Sequence, residues 1–393
     1  MRLITTQAFG IRLPILKTGD DLISIITNSV LKAVKTHQLV LKDHDIISVT
    51  EALVARTQGN YASIEDIKNE VLKKYDYNTP LGVVFPMLSR NRFALVLEAI
   101  ALGNKRVIVQ FSYPADEVGN QFLDEQLLIE KQINPYQDAF DEKSFRDTFG
   151  YNTKHMFTNI DYIEFYKSLS DNIEIVFSND PNYIYNYTNQ VLVADVHTRH
   201  LTKVTLQQNK AGIVYGLDEL LTEKSEQHGY NPTYGLLGSN KANETSVKLF
   251  PRDTETFVIN LQAKIYQETN KKVEVVVFGD GAFKDPIGKI WELADPVSAI
   301  AFTDGLKGRP HELKIKYLAD NTFQDLSGAA LDKALIKSLK EKNPTTASSQ
   351  SIGTTPRQIA DLVCSLSDLI SGSGDKGTPV VLIQGYFDNY SDL

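Results

Sequence analysis

The chain has 393 residues, of which 42% are hydrophobic and 23% are charged, enough to bury a substantial core in two or three domains or in one enlarged α/β domain. The 49 acidic residues outnumber the 41 Lys and Arg residues, and the net charge of −8 disfavours a protein that binds nucleic acid or an anionic membrane. A single cysteine, Cys364, excludes an internal disulfide and a cysteine-rich zinc site. The sequence has neither a secretory signal nor an apolar run of the roughly 20 residues that span a bilayer, so we expect a soluble, cytoplasmic protein.

The first part of the chain predicts two helices around a strand. Apolar residues recur at helical spacing over 22–36 and again over 62–75, where Ser63 is the expected N-cap. A strand is expected at 45–49, followed by a polar patch that ends at residue 60.

From about residue 86, helices and strands alternate, and the strands end in polar or turn residues. This pattern is typical of parallel α/β units with functional groups at the carboxyl ends of the strands. The units comprise helices at 90–102, at 161–168 and from about 198, and strands at 106–111, 173–177 and 190–196.

After residue 235 the pattern changes again. The expected elements are helices at 254–268, 331–342 and 356–370, and strands at 272–278, near 313–317 and at 379–383. The polar segment 344–350 is the best candidate for a mobile loop. We therefore predict an α/β protein in which an α+β core, formed by 1–85 and 235–393, is split by an inserted α/β segment with parallel strands at 86–234, whose role is unknown.

The segment 275–286 is the most informative about chemistry. An apolar strand leads to Asp280, which is flanked by glycines at a position where α/β proteins bind metals and phosphates. Asp285, Glu292 and Asp295 follow and could complete a set of oxygen ligands for a hard divalent cation. The alternative is a glycine turn with solvated carboxylates.

Three other segments carry polar groups with less specific signals. The glycine-rich stretch 371–379 could wrap phosphate oxygens, although on its own a flexible linker explains it better. The loop 235–244 could orient a nucleotide through its amide side chains, but polar surface loops are common. His197 and His200 would share a helix face and could bind a transition metal. A third hypothesis is that they give the middle segment a separate activity together with Asp195, although an exposed helix start is the more common explanation for such a pair.

Taken in chain order, these motifs resemble those of the coenzyme F420-0:L-glutamate ligase (gamma-glutamyl ligase) family. Five segments are similar to the family's motifs. The first is 10–22, which contains a Leu-Pro turn and Gly-Asp-Asp-Leu, and the second is 45–50 together with the loop to Gly59. The others are 238–243 together with 249–253, then 279–281, and finally 372–385, where Gln384 replaces an arginine. The segment 279–281 falls on the family's metal-binding Asp-Thr.

The resemblance implies a ligase that uses GTP, with ATP as the alternative, and Mg²⁺ or Mn²⁺. It would activate a substrate carboxylate as an acyl phosphate for attack by the amine of L-glutamate. It also implies a homodimer whose partners are a nucleotide, L-glutamate and a carboxylate-bearing small molecule. By resemblance, the nucleotide would be bound by Leu13, Pro14, Ile15, Leu16, Arg56, Asn243, Gly374, Asp375, Lys376, Gly377 and Thr378. The metal would be bound at Asp280, Gly281 and Asn240, with Asp285 able to compensate for a missing ligand; no catalytic side chain is assigned.

The chain departs from the family pattern at the metal and nucleotide positions. Asn240 stands where the family has its first metal-binding aspartate, and an alternative register places Leu237 there; Gly281 replaces a threonine. Glu51 and Arg56 replace a nucleotide-contacting serine and lysine. Because the loss of an anionic ligand weakens or relocates a metal, the second hypothesis is a catalytically degenerate relative that binds a nucleotide or metabolite as a sensor or partner module.

Overall fold

The structure is a computed structural model that describes residues 4–155, 158–209, 212–279, 298–342, 358–372 and 374–392. Its strands are β1 Gln7–Ile11, β2 Ile46–Thr50, β3 Tyr61–Ser63, β4 Leu81–Val84, β5 Val107–Phe111, β6 Phe140–Asp141, β7 Ile173–Phe177, β8 Gln190–Val193, β9 Ile213–Gly216, β10 Asn240–Lys241, β11 Ser246–Lys248, β12 Glu274–Phe278, β13 Ala299–Phe302 and β14 Val380–Gln384. Its helices are α1 Leu22–Thr36, α2 Glu51–Thr57, α3 Ile64–Lys74, α4 Leu95–Leu102, α5 Glu125–Glu130, α6 Glu142–Phe149, α7 Tyr162–Lys167, α8 Arg199–Asn209, α9 Thr254–Thr269, α10 Ile315–Tyr317, α11 Gly328–Lys340 and α12 Ile359–Ser371. Within these residues, none of the helices has the length and apolarity needed to cross a membrane.

A five-stranded sheet is formed from both ends of the sequence. Its strand order is β1-β14-β2-β12-β13, with β2 and β12 parallel and the other neighbouring pairs antiparallel. Successive side chains of a strand point to opposite faces, so Val275 and Val277 pack with α1 and α9 whereas Val276 packs with α12. The sheet is therefore covered by helices on both faces, as expected for strands that read as continuous apolar runs.

The middle segment forms a second sheet of six strands. Its order is β6-β7-β5-β4-β8-β9, and all neighbouring pairs except β6 with β7 are parallel. This confirms the prediction of parallel α/β units. The sheet starts with β4, which precedes the predicted boundary at residue 86 and which the sequence pattern did not predict.

A small third sheet joins the segments on either side of the middle sheet. Its order is β10-β11-β3, and Val247 pairs with Ala62. Because β3 precedes the middle sheet in the chain whereas β10 and β11 follow it, this small sheet pairs the segment that enters the middle sheet with the segment that leaves it. The small sheet lies next to α2 and α3.

Most predicted elements are confirmed. The helix at 22–36 matches α1, the strand at 173–177 matches β7, and Ser63 caps α3 by accepting a hydrogen bond from the amide of Asp66 at 3.2 Å. The strand expected at 190–196 ends at Val193, and α2 occupies part of the expected polar patch.

The strand expected near 313–317 is wrong. Ile315–Tyr317 is a helical turn that continues into a π-helical turn at Leu318–Thr322. The alternating apolar residues there are only partly buried, and the residue that packs inward is Leu318. The alternation of apolar residues at 313–317 is the same as in a half-buried strand, but this segment pairs with no described strand. The predicted mobile loop at 344–350 lies outside the described residues.

Candidate functional site

Strand register brings the predicted motifs to one edge of the five-stranded sheet. Ile11 pairs with Val380, Val380 pairs with Val49, and Thr50 pairs with Phe278. Strands β1, β2 and β12 run toward this edge and β14 runs away from it. The residues that follow β1, β2 and β12 therefore lie beside the loop that precedes β14, although they are far apart in sequence.

Backbone contacts hold two of these segments together. The amide of Leu13 donates to the carbonyl of Gly377 at 3.4 Å, and Arg12 Nε donates to the carbonyl of Lys376 at 3.3 Å. The amide of Thr50 donates to the carbonyl of Pro379 at 3.0 Å. The predicted nucleotide segments 13–16 and 374–378 are thus neighbours, with Gly374–Lys376 forming a short 3₁₀ turn.

Arg56 links this edge to a cleft. It lies in the last turn of α2, where its Nε donates to the carbonyl of Leu16 at 2.8 Å. The cleft has a volume of about 820 Å³. It is lined by Ala52, Arg56, Tyr61, Asn91, Asn240, Lys241, Ala242, Asn243, Glu244 and Lys248. The structure therefore brings Arg56, Asn240 and Asn243 to one cavity.

The charges in the cleft are largely paired. Lys248 contacts Glu51, and their side chains are only 13% and 3% exposed; Lys241 pairs with Glu244 at 2.7 Å. No carboxylate in the described part of the chain forms an ion pair with Arg56. Among the described residues that line the cleft, the guanidinium of Arg56 is therefore available to bind an anionic ligand.

The other predicted nucleotide residues do not all reach this cleft. Leu13, Pro14 and Thr378 line a separate groove of about 1110 Å³ between β1 and α1. Ile15 is 89% exposed, whereas Leu16 is buried among the core residues under the sheet. The structure thus places Arg56 and Asn243 in the cleft and three of the other predicted residues in the groove. The hydrogen bond from Arg56 to the carbonyl of Leu16 joins α2 to the segment 13–16.

The predicted metal ligands are only partly visible. Asp280, Gly281 and Asp285 lie outside the described residues, as do Glu292 and Asp295. Asn240 lies in β10, opposite Lys248. Gly279, the last described residue before this segment, lies near Glu51, because a Cβ built on it would be 3.9 Å from Glu51 Cγ.

The residues that are visible do not make a divalent cation site by themselves. Asn240 offers a neutral amide, and the carboxylate of Glu51 is held by Lys248. Across the described ranges, no group of three His, Cys, Asp or Glu side chains could hold a metal ion. The described residues alone therefore do not form the metal site that the resemblance implies, and its other predicted ligands lie outside them.

The histidine pair does not form the arrangement that was predicted. Helix α8 begins at Arg199, so His197 precedes it and does not share a helix face with His200. Asp195 is fully buried at the end of β8 and belongs to a different cavity.

Sequence reasoning missed two contributors to the cleft, Lys248 and Asn91. Lys248 reaches Glu51 because of the β3-β11 pairing, which joins residues far apart in sequence. Asn91 lies in a π-helical turn at Arg90–Ala94, in the middle segment. Nothing in the local pattern of either residue indicates a binding site.

The chain matches a protein-family model over nearly its whole length. The model of the family described as F420-0:Gamma-glutamyl ligase matches residues 10–385, which includes the middle segment. No curated protein matches the chain. Since the match covers nearly the whole chain, the protein belongs to the F420-0:gamma-glutamyl ligase family.

Proposed function

We propose that the protein is a nucleotide-dependent ligase that joins L-glutamate by an amide bond to a carboxylate-bearing small molecule, with GTP as the expected nucleotide and ATP as the alternative. The observation that carries this proposal is the position of Arg56. Its guanidinium lines the cleft with Asn240 and Asn243, binds the carbonyl of Leu16, and meets no carboxylate within the described residues. An unpaired guanidinium beside amide side chains suits the phosphates of a nucleotide.

In the proposed reaction the substrate carboxylate attacks the terminal phosphorus of the nucleotide. The bond between this phosphorus and the nucleoside diphosphate leaving group breaks, and an acyl phosphate forms. The amine of L-glutamate then attacks the acyl carbon, loses a proton and displaces phosphate. This chemistry depends on positioning and charge neutralisation rather than on a protein nucleophile.

Arg56 neutralises charge on the phosphate oxygens in this proposal, and Asn243 hydrogen-bonds the nucleotide. The segments 13–16 and 374–378 hold the rest of the nucleotide at the same sheet edge. Mg²⁺ or Mn²⁺ remains a prediction that rests on Asp280, Gly281 and Asp285, and we assign it no step.

A second candidate function is favoured by Asn240 and by the Lys248–Glu51 pair. A neutral amide and a carboxylate that is already held by a cation leave the cleft with little capacity to attract a divalent ion. A relative without catalysis could still bind a nucleotide or metabolite there, as a sensor or partner module.

Isothermal titration of GTP and of ATP into the full-length protein, with and without Mn²⁺, separates the two. We expect GTP binding that requires Mn²⁺ and that is at least about tenfold weaker in Arg56→Met, which loses a charge-assisted contact. The matched control is Arg106→Met, which removes an arginine from an exposed ion pair with Glu174 and should bind GTP normally.

Phosphate release is then measured with GTP, L-glutamate and F420-0 together. Release that depends on all three supports the ligase. Nucleotide binding without metal dependence and without phosphate release supports the sensor. The absence of any nucleotide binding overturns both the ligase and a sensor of nucleotides. The proposal includes a cytoplasmic homodimer, which microscopy of the tagged protein and analytical ultracentrifugation would test.

A further inference from the structure

The middle sheet contains a topological switch point. Its parallel strands lie in the order β7-β5-β4-β8-β9, so the chain starts at β4, moves outward through β5 and β7, and then returns to the other side of β4 for β8 and β9. In open α/β sheets, ligands bind at the carboxyl ends of the strands where the direction of winding reverses. Here that position lies between the carboxyl ends of β4 and β8.

A cavity of about 240 Å³ occupies this position, roughly the volume of eight water molecules in the liquid. Residues that directly follow four strands line it: Phe85 after β4, Ser112, Tyr113 and Glu117 after β5, Asn179 after β7, and Asp195 after β8. We call it the switch-point cavity. The connection after β4 has no glycine-rich phosphate loop, so a dinucleotide is not indicated.

Asp195 has an unused carboxylate oxygen in this cavity wall. The residue is 0% exposed. Its Oδ2 accepts from the hydroxyls of Thr198 at 2.5 Å and Thr202 at 2.8 Å, whereas Oδ1 has no hydrogen-bond partner among the described residues. Because leaving a buried charged acceptor unsatisfied is costly, such an atom calls for an explanation.

The surroundings of Asp195 make the cavity anionic. Glu117 accepts from the amides of Val196 and His197, the latter at 2.9 Å. Burial raises the pKa of both carboxyl groups, and the charge of Asp195 raises the pKa of Glu117 further. Because their charged forms are penalised by burial, a cation bound beside them would stabilise the carboxylates. The neighbouring Arg199 is directed to Asp218 at 3.2 Å, and the described residues that line the cavity include no Lys, Arg or His.

The third acidic residue of the wall has a structural role. Asp116 accepts hydrogen bonds from the amide of Leu88 at 2.9 Å and from Asn120 Nδ2 at 2.6 Å, and it also accepts from the amides of Val118 and Asn120. It therefore braces the loop after β5, which leaves Asp195 as the group that a ligand would meet.

We propose that the switch-point cavity binds a small organic cation, a primary ammonium group on an apolar body, with the ammonium donating to Asp195 Oδ1. An ammonium supplies the hydrogen-bond donor and the positive charge that the wall lacks, and Phe85, Tyr113 and Ala115 offer an apolar surface to the rest of the molecule. A bare divalent cation fits less well, because no trio of ligating side chains is present in the described ranges.

The test is isothermal titration of the full-length protein with three molecules of one shape and different charge: benzylammonium, benzyl alcohol and benzoate. We expect saturable binding of benzylammonium, at least about tenfold tighter than that of the other two. Equal or tighter binding of benzoate or benzyl alcohol, saturation by Mn²⁺ with displacement of benzylammonium, or no saturable binding would each overturn the proposal.

Variants show whether the site is the one proposed. Asp195→Asn can keep an acceptor toward the two threonines but places an amide donor where Oδ1 was, so benzylammonium binding should fall at least about tenfold. Glu174→Gln removes an equal charge from an exposed side chain of β7 and should not change the binding of benzylammonium. If Asp195→Asn does not fold, Ala115→Phe fills the cavity and should abolish binding; unchanged binding in either folded variant refutes the assignment. None of these titrations contains a nucleotide, so their outcome is independent of the proposed ligase function.

Discussion

Replacing Lys248 with Met tests the buried ion pair beside the cleft. Lys248 and Glu51 join β11 to the start of α2 with both side chains largely buried. Removing one partner of a buried pair costs about 3–5 kcal/mol, because the other charge stays buried without its counter-ion. Glu51 is the first residue of α2, where the helix dipole stabilises a carboxylate by up to about 1 kcal/mol. We therefore expect Lys248→Met to lower the free energy of unfolding by about 2–4 kcal/mol.

Urea unfolding followed by circular dichroism measures this loss. The matched control is Arg106→Met, whose pair with Glu174 is 45% and 52% exposed and should be worth less than about 1 kcal/mol despite its good geometry. The double variant Glu51→Gln/Lys248→Met should recover much of the loss, since no buried charge is left. If Lys248→Met costs no more than Arg106→Met, or if the double variant is no more stable than Lys248→Met, the reasoning is refuted.

Two further predictions concern a buried carboxyl group and a tightly packed glycine. Burial raises the pKa of Asp45, although Gln384 donates a hydrogen bond to its carboxyl group at 2.6 Å. Above the ordinary pKa of an aspartate, the native state therefore keeps a proton that the unfolded state has released. Because of this difference, the free energy of unfolding that Asp45 contributes falls as pH rises. Thermal midpoints should show Asp45→Asn gaining on the wild type as pH increases from about 4 to 7, and a constant difference would contradict this. Gly238→Ala would place a Cβ 2.1 Å from Phe250 at a φ of +69°, so it should lower the free energy of unfolding by at least about 2 kcal/mol. The control is Gly308→Ala, with a φ of +95° and open space around the new Cβ, which should cost only the roughly 1–2 kcal/mol of backbone strain. Equal losses in the two variants would show that the contact with Phe250 is relieved.

Local patterns were sufficient for most helices and strands of this protein, because an amphipathic helix such as α1 carries its periodicity in adjacent residues. They failed for β4, which has only four residues and contains Gly82, because a glycine interrupts so short an apolar run. They also failed at 313–317, where apolar residues alternate with polar ones but no described strand pairs with the segment.

The candidate site was predictable as a set of motifs but not as an arrangement. Leu13 meets Gly377 only because β1 pairs with β14, a contact between the two ends of the sequence. The division of the nucleotide residues between the cleft and the groove beside α1 depends on that pairing and on the burial of Leu16. Likewise, the switch-point cavity follows from strand order, which a list of predicted elements does not contain.

The place of β14 between β1 and β2 has a consequence for biosynthesis. The middle sheet has all its strands once Gly216 has been made, whereas β14 begins at Val380. At about 5–20 residues per second, the roughly 160 residues between them take about ten to thirty seconds to translate. During that interval β1 and β2 present unpaired edges that can associate with other chains. The nascent chain is therefore expected to depend on a ribosome-associated chaperone until β14 is released, even though its middle sheet can fold early.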